Sequence, residues 1–124
     1  MAVDILDVSE KTLAMVKVYA PKMGITLPLD DESIHKIYKN FYGQEVSYAM
    51  EAEEIKNKGR EWEQTENISN MFANAADELA DFANRDNPDY KLLSQRINEI
   101  VLDPSDDWPE YHQWYTKEGT PTDF

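Results

Sequence analysis

The chain has 124 residues, no cysteine, and 25 Asp and Glu against 12 Lys and Arg, a formal net charge of -13. That length predicts one domain with one modest core, and the missing thiols exclude disulfides, thiolate zinc sites and a cysteine nucleophile. The charge disfavours direct binding to nucleic acid or to an anionic membrane surface, because each phosphate contact needs a cation to displace counterions, and it favours cationic partners.

Met1 to Asp7 carries acid where a secretory leader needs base, and no apolar run reaches the roughly 18 residues of a membrane span. The expected location is the cytoplasm, and the expected extent is a helical domain over 1–118 with a frayed tail over 119–124.

Hydrophobic spacing is helical almost throughout. A first helix is expected to start at an Asp7 or Ser9 cap, to bury Leu13, Val16 and Ala20, and to stop at Pro21. Gly24 and Pro28 mark a connection. A second helix follows an Asp30 or Asp31 cap, carries the stripe Ile34, Ile37, Tyr38 and Phe41, and is expected to end at Gly43. From Gln44 to Asn84 two further stripes appear, one through Tyr48, Ala52, Ile55 and Trp62, the other through Ile68, Phe72, Leu79 and Phe82. A break is expected between residues 58 and 66, with Asn57-Lys58-Gly59 as the stop and Thr65 as the new cap. The next helix is predicted from an Asn87 cap with Pro88 in first position, and Asp103-Pro104 ends the helical pattern. Trp108, Tyr111, Trp114 and Tyr115 follow. Their preferred reading is that the rings fold back over the core of a small domain; the alternative makes them binding hot spots. The expected architecture is all-α, an irregular bundle of about five helices with a short aromatic C-terminal segment.

Two acidic constellations stand out. Glu51 and Glu54 share a helix face, as do Glu78 and Asp81. Convergence of the two pairs would make an oxygen site for Mg²⁺ or Mn²⁺. The segments Glu51-Ala52-Glu53-Glu54 and Glu78-Leu79-Ala80-Asp81 resemble the Glu-x-x-Glu and Glu-x-x-Asp signature of the all-α nucleotide pyrophosphohydrolases of the MazG and dimeric dUTPase type. The resemblance implies metal-dependent hydrolysis of a nucleoside triphosphate to the monophosphate and pyrophosphate. It covers about a quarter of the chain, and a composition this acidic produces such spacings by chance.

The second constellation is the wider surface. Glu61, Glu66, Asp77, Asp81, Asp86 and Asp107, with Trp108 and Trp114, are the candidate partner-binding residues. Carboxylate rows on helices imitate the charge spacing of a nucleic-acid backbone, so the leading expectation is a non-enzymatic protein without a cofactor. It would occupy the basic site of a nuclease or nucleic-acid-binding complex, as phage anti-defence and nuclease-immunity proteins do by analogy of charge. A third expectation is an assembly chaperone or adaptor that forms a homo-oligomer through the Tyr48–Trp62 stripe.

Overall fold

A computed structural model describes residues 6–111. Four α-helices and no strands are found among them: α1 (Glu10–Tyr19), α2 (Asp31–Asn57), α3 (Glu63–Ala83) and α4 (Tyr90–Glu99), with a 3-10 turn over Pro21–Met23. No helix there is long and apolar enough to cross a membrane.

Local chemistry sets each boundary. Ser9 caps α1, its hydroxyl accepting from the Thr12 N–H. Pro21 cannot donate to a helical carbonyl, so α1 gives way to the 3-10 turn, and Gly24 closes that turn at φ 76°. Asp30 caps α2 by accepting from Ser33 N at 2.8 Å. At the far end of α2, Gly59 takes φ 73°. Its N–H bonds to the Lys56 carbonyl and that of Arg60 to the Ile55 carbonyl, a Schellman ending. The break expected between residues 58 and 66 is therefore present, at 58–62.

Four expected boundaries need correction, the first being that α4 ends at Glu99, with Ile100 already extended, rather than at Asp103-Pro104. Gly43 does not end a helix; it is buried at mid-α2. Its cost of about 1 kcal/mol within a helix is outweighed by burying Phe41, Gln44 and Tyr48 around it. The second and third expected helices are thus one, and the count is four rather than about five. The cap of α3 is not Thr65: the helix begins at Glu63 behind Trp62, which makes no side-chain cap bond. The cap of α4 is Asp89, which accepts from Leu92 N at 2.9 Å, while Asn87 instead takes a left-handed turn conformation at φ 53°.

The short turn at 58–62 folds α3 back antiparallel on α2. Two contacts fix their register: Ser69 Oγ donates to the Glu45 carbonyl at 2.8 Å, and Tyr42 OH donates to Asp77 at 2.7 Å. Both helices turn apolar faces inward, and Phe72 sits at the centre. Its ring lies 5.3 Å from Tyr19, 5.5 Å from Phe41 and 5.8 Å from Tyr48, centroid to centroid. Helix α1 crosses onto α3 and α4, and Lys17 ends α4 by donating to the carbonyls of Asn98 and Ile100. Ser94, buried on α4, accepts from Leu29 N at 2.9 Å and donates to the Tyr90 carbonyl at 2.7 Å, which ties the connection before α2 to α4.

After α4 the chain has no helix as far as Tyr111 and crosses back over the hairpin as a strap. Trp108 meets Tyr19 edge to face at 6.3 Å, and Tyr111 packs on the same ring at 6.4 Å. Tyr19 OH donates to the Pro109 carbonyl at 2.6 Å, and Tyr48 OH donates to that of Glu110. Asn40 donates to Tyr111 OH at 3.2 Å and accepts from Gln44 at 3.1 Å, so both buried amides of α2 have partners beneath the strap. The two rings within 6–111 thus fold over the core; Trp114 and Tyr115 lie outside the described residues.

Candidate functional site

The candidate carboxylates divide by what they touch. Glu78 is engaged within the chain. From α3 its Oε1 accepts the Ser9 backbone N–H at 2.6 Å and its Oε2 the Ser9 hydroxyl at 3.2 Å. That places a carboxylate against the N-terminus of α1, where the helix dipole favours negative charge. Asp81 lies 3.6 Å from Arg85, which also reaches Asp7 at 4.0 Å. Glu54 pairs with Lys58 at 3.2 Å.

The two pairs of the metal reading do not meet within the chain. With Tyr42 level with Asp77, a rise of 1.5 Å per residue sets Glu51 and Glu54 between roughly 15 and 24 Å along the hairpin from Glu78 and Asp81. Cation–oxygen bonds of about 2.0–2.6 Å cannot span that. The convergence that the alternative metal reading requires is absent within the chain because the turn at 58–62 puts Glu51 and Glu54 near the closed end of the hairpin and the other pair towards its open end. Among the described residues no group of three or more histidine or acidic side chains is arranged to hold a metal ion.

Asp77 belongs to a different cluster. It accepts from Tyr42, whose hydroxyl is pushed up to about 12 by burial and then by that bond, and burial together with the Asp77 charge raises the Glu45 carboxyl above its ordinary range. The remaining candidates are uncommitted. Glu61 lies in the turn between α2 and α3, Glu66 in the first turn of α3, Asp86 after α3 and Asp107 on the strap. All four are exposed, and none forms an ion pair with another described residue. Trp108 is half-buried against Tyr19, with Lys11 Nζ 4.5 Å from its ring centroid. Trp114 lies outside the described residues.

Three concavities that share walls run along α3; of the candidates, Asp77, Glu78, Asp81, Asp107 and Trp108 line them, and Glu61, Glu66 and Asp86 do not. One, of about 560 Å³, lies between the start of α3 and the strap, with Ile68, Met71 and Trp108 lining it and Asp107 and Glu110 beside them. The second, of about 350 Å³, continues between α1 and α3 past Asn67, Asn70 and Asn74. The third, of about 560 Å³, opens at Asp7, Asp77, Glu78 and Asp81. Lys11 is the only cation among the residues that line them.

The asparagines were not among the sequence candidates, although a signal for them existed. Asn67, Asn70 and Asn74 occupy exposed positions at helical spacing within α3, where asparagine is a poor helix former. None of their side chains bonds another described residue. Gln64, one turn before Asn67, extends the same row.

Comparison with protein-family models, with curated protein sequences and with solved structures finds no match to this chain.

Proposed function

We propose that this chain is an acidic interaction protein that binds a basic, nucleic-acid-binding protein and blocks its nucleic-acid site. The observation that carries the reading is the set of exposed carboxylates along α3, its flanking turns and the strap, Glu61, Glu66, Asp86 and Asp107 above all, which have no cationic counterpart among the described residues. Surface charges left uncompensated at a net charge of -13 raise the encounter rate with a cationic surface and repel nucleic acid itself. The packing of α1 on α3 and the return of the strap set Asp7 beside Asp77 and Asp81, and Asp107 and Glu110 beside the start of α3.

The test is displacement of labelled duplex DNA or RNA from a panel of purified basic nucleases and repressors. The expected result is displacement of at least one member, with a half-maximal concentration that rises at least tenfold between 50 and 300 mM salt. A variant with Glu61, Glu66, Asp86 and Asp107 all changed to Lys should be inert. Displacement that ignores salt, or that survives the charge reversal, refutes the reading.

A further inference from the structure

The groove along α3 has a composition that a merely solvated face lacks. We infer that it is a docking site for an extended, basic segment of a partner protein, about eight residues long, with a cationic side chain near each end. The inference rests on the reading above, though of the four carboxylates that carry that reading only Asp107 lines the groove.

The groove's length comes from helix geometry. Gln64 and Asp81 mark its ends on α3, 17 residues apart, which is about 26 Å at 1.5 Å per residue. An extended chain rises about 3.3 Å per residue, so about eight residues fill it. The ends carry more acid than base: Asp107 and Glu110 beside Lys11 at one, and Asp7, Asp77 and Asp81 at the other, where Arg85 offsets only part of the charge. Charge complementarity therefore asks for Lys or Arg at both ends of the occupant.

The middle of the groove sets one cation, Lys11, against one carboxylate, Glu78, and between them carries the amides of Asn67, Asn70 and Asn74. A carboxamide offers two donors and an acceptor, and an extended backbone presents donors and acceptors in turn. Three asparagines at exposed mid-helix positions weaken α3 relative to alanine, and their side chains bond no other described residue. A local choice that works against the fold and gains nothing within it marks a surface shaped for something else. Ile68, Met71 and Trp108 line the wider end and give an apolar side chain of the occupant a place to bury. Base edges could also pair with carboxamides, but the phosphates joining them would face Asp77, Asp81, Asp107 and Glu110, which selects a polypeptide over a nucleic acid.

Lys11 sharpens the prediction. Its ammonium lies over the Trp108 ring, in the wall shared by the first two concavities. It occupies a cation-binding ring face and repels an incoming cation, so removing it should tighten binding.

The experiment is an NMR titration of the full chain at 50 mM salt. The probe is a synthetic eight-residue peptide with a lysine at each end and alternating serine and leucine between. Its twin with glutamate at each end and a single-stranded oligonucleotide serve as comparisons. The lysine peptide should shift the side-chain amide signals of Asn67, Asn70 and Asn74, and the twin should not. Combined Asn67→Ala, Asn70→Ala and Asn74→Ala should weaken the peptide at least tenfold, and Lys11→Met should bind it more tightly than wild type. The melting temperature of the triple variant guards against misfolding, since alanine favours the helix. Peptide binding that leaves these amide signals still, or that survives the triple variant, overturns the groove while leaving the wider acidic-surface reading in place. Failure of the lysine peptide to bind also overturns it; the displacement assay then shows whether the broader function falls too. Shifts of the same amides by the oligonucleotide would assign the groove to nucleic acid and refute the inference.

Discussion

Replacing Glu78 by alanine tests whether its carboxylate holds the fold. The side chain leaves α3 to accept the Ser9 N–H at 2.6 Å and the Ser9 hydroxyl at 3.2 Å, contacts between residues 69 positions apart. A hydrogen bond to a charged group contributes about 1.5–3 kcal/mol, and the low end applies because the site is open to solvent. The longer hydroxyl contact adds little. A carboxylate at a helix N-terminus contributes about 0.3–1 kcal/mol more. The expected loss is about 2 kcal/mol, and for a chain of this size that is a fall in Tm of about 8 °C. Glu78→Gln keeps one oxygen acceptor without the charge and should fall by about half as much. Thermal unfolding followed by circular dichroism measures both, with and without 5 mM Mg²⁺ or Mn²⁺. Equal losses in both conditions are expected, because Glu78 acts within the protein. A Glu78→Ala variant that melts with wild type would refute the clamp, and a loss seen only with the metal would restore a metal role for this residue.

Three further outcomes follow from the packing. Ser94→Ala leaves the buried Leu29 N–H without its acceptor and should destabilise the protein by about 1–3 kcal/mol in chemical denaturation; an unchanged midpoint would refute that assignment. The Glu45 carboxyl, raised by burial and by Asp77, binds its proton more readily folded than unfolded. Its ionised form therefore opposes folding at neutral pH, and the penalty is lost as pH falls through the carboxylate range. Glu45→Gln should raise Tm at pH 7, with the gain vanishing near about pH 3, and a gain independent of pH would refute the cause. The triple alanine variant of Asn67, Asn70 and Asn74 should be more stable than wild type by about 1–2 kcal/mol; a less stable variant would mean that these amides support the fold.

Much of the framework was readable one element at a time. The Ser9 cap, the stop at Pro21, the Asp30 cap and the ending around Gly59 each depend on a few neighbouring residues, and each is found. Gly43 misled because a glycine ends a helix only where the chain adopts the left-handed conformation after it. Whether it does is decided by what Phe41, Gln44 and Tyr48 bury against. Asn87 misled for a related reason, since its left-handed φ and a cap at Asp89 are both compatible with the same local sequence. At the site, the abundance of acid was plain from composition, but the division of labour was not. Glu78 and Glu66 read alike until α1 is placed against α3, and the order of Asn67, Asn70 and Asn74 along a groove needs the strap and α1 as walls.

The strap is held in a way that bears on how this protein can vary. Tyr19 and Tyr48 bind it through the main-chain carbonyls of Pro109 and Glu110, groups that every amino acid supplies. The side chains of Asp106, Asp107 and Glu110 are exposed and take no part in that grip, so the outer charge of the strap can be rewritten by substitution without loosening it. Spacing is another matter. Trp108 and Tyr111 must reach the Tyr19 ring while the two carbonyls between them reach their hydroxyls. One residue inserted between Trp108 and Tyr111 would put the rings and the carbonyls out of step. The segment is thus permissive to changes of letter and intolerant of changes of length, and its acidic rim can change charge while the core beneath stays closed.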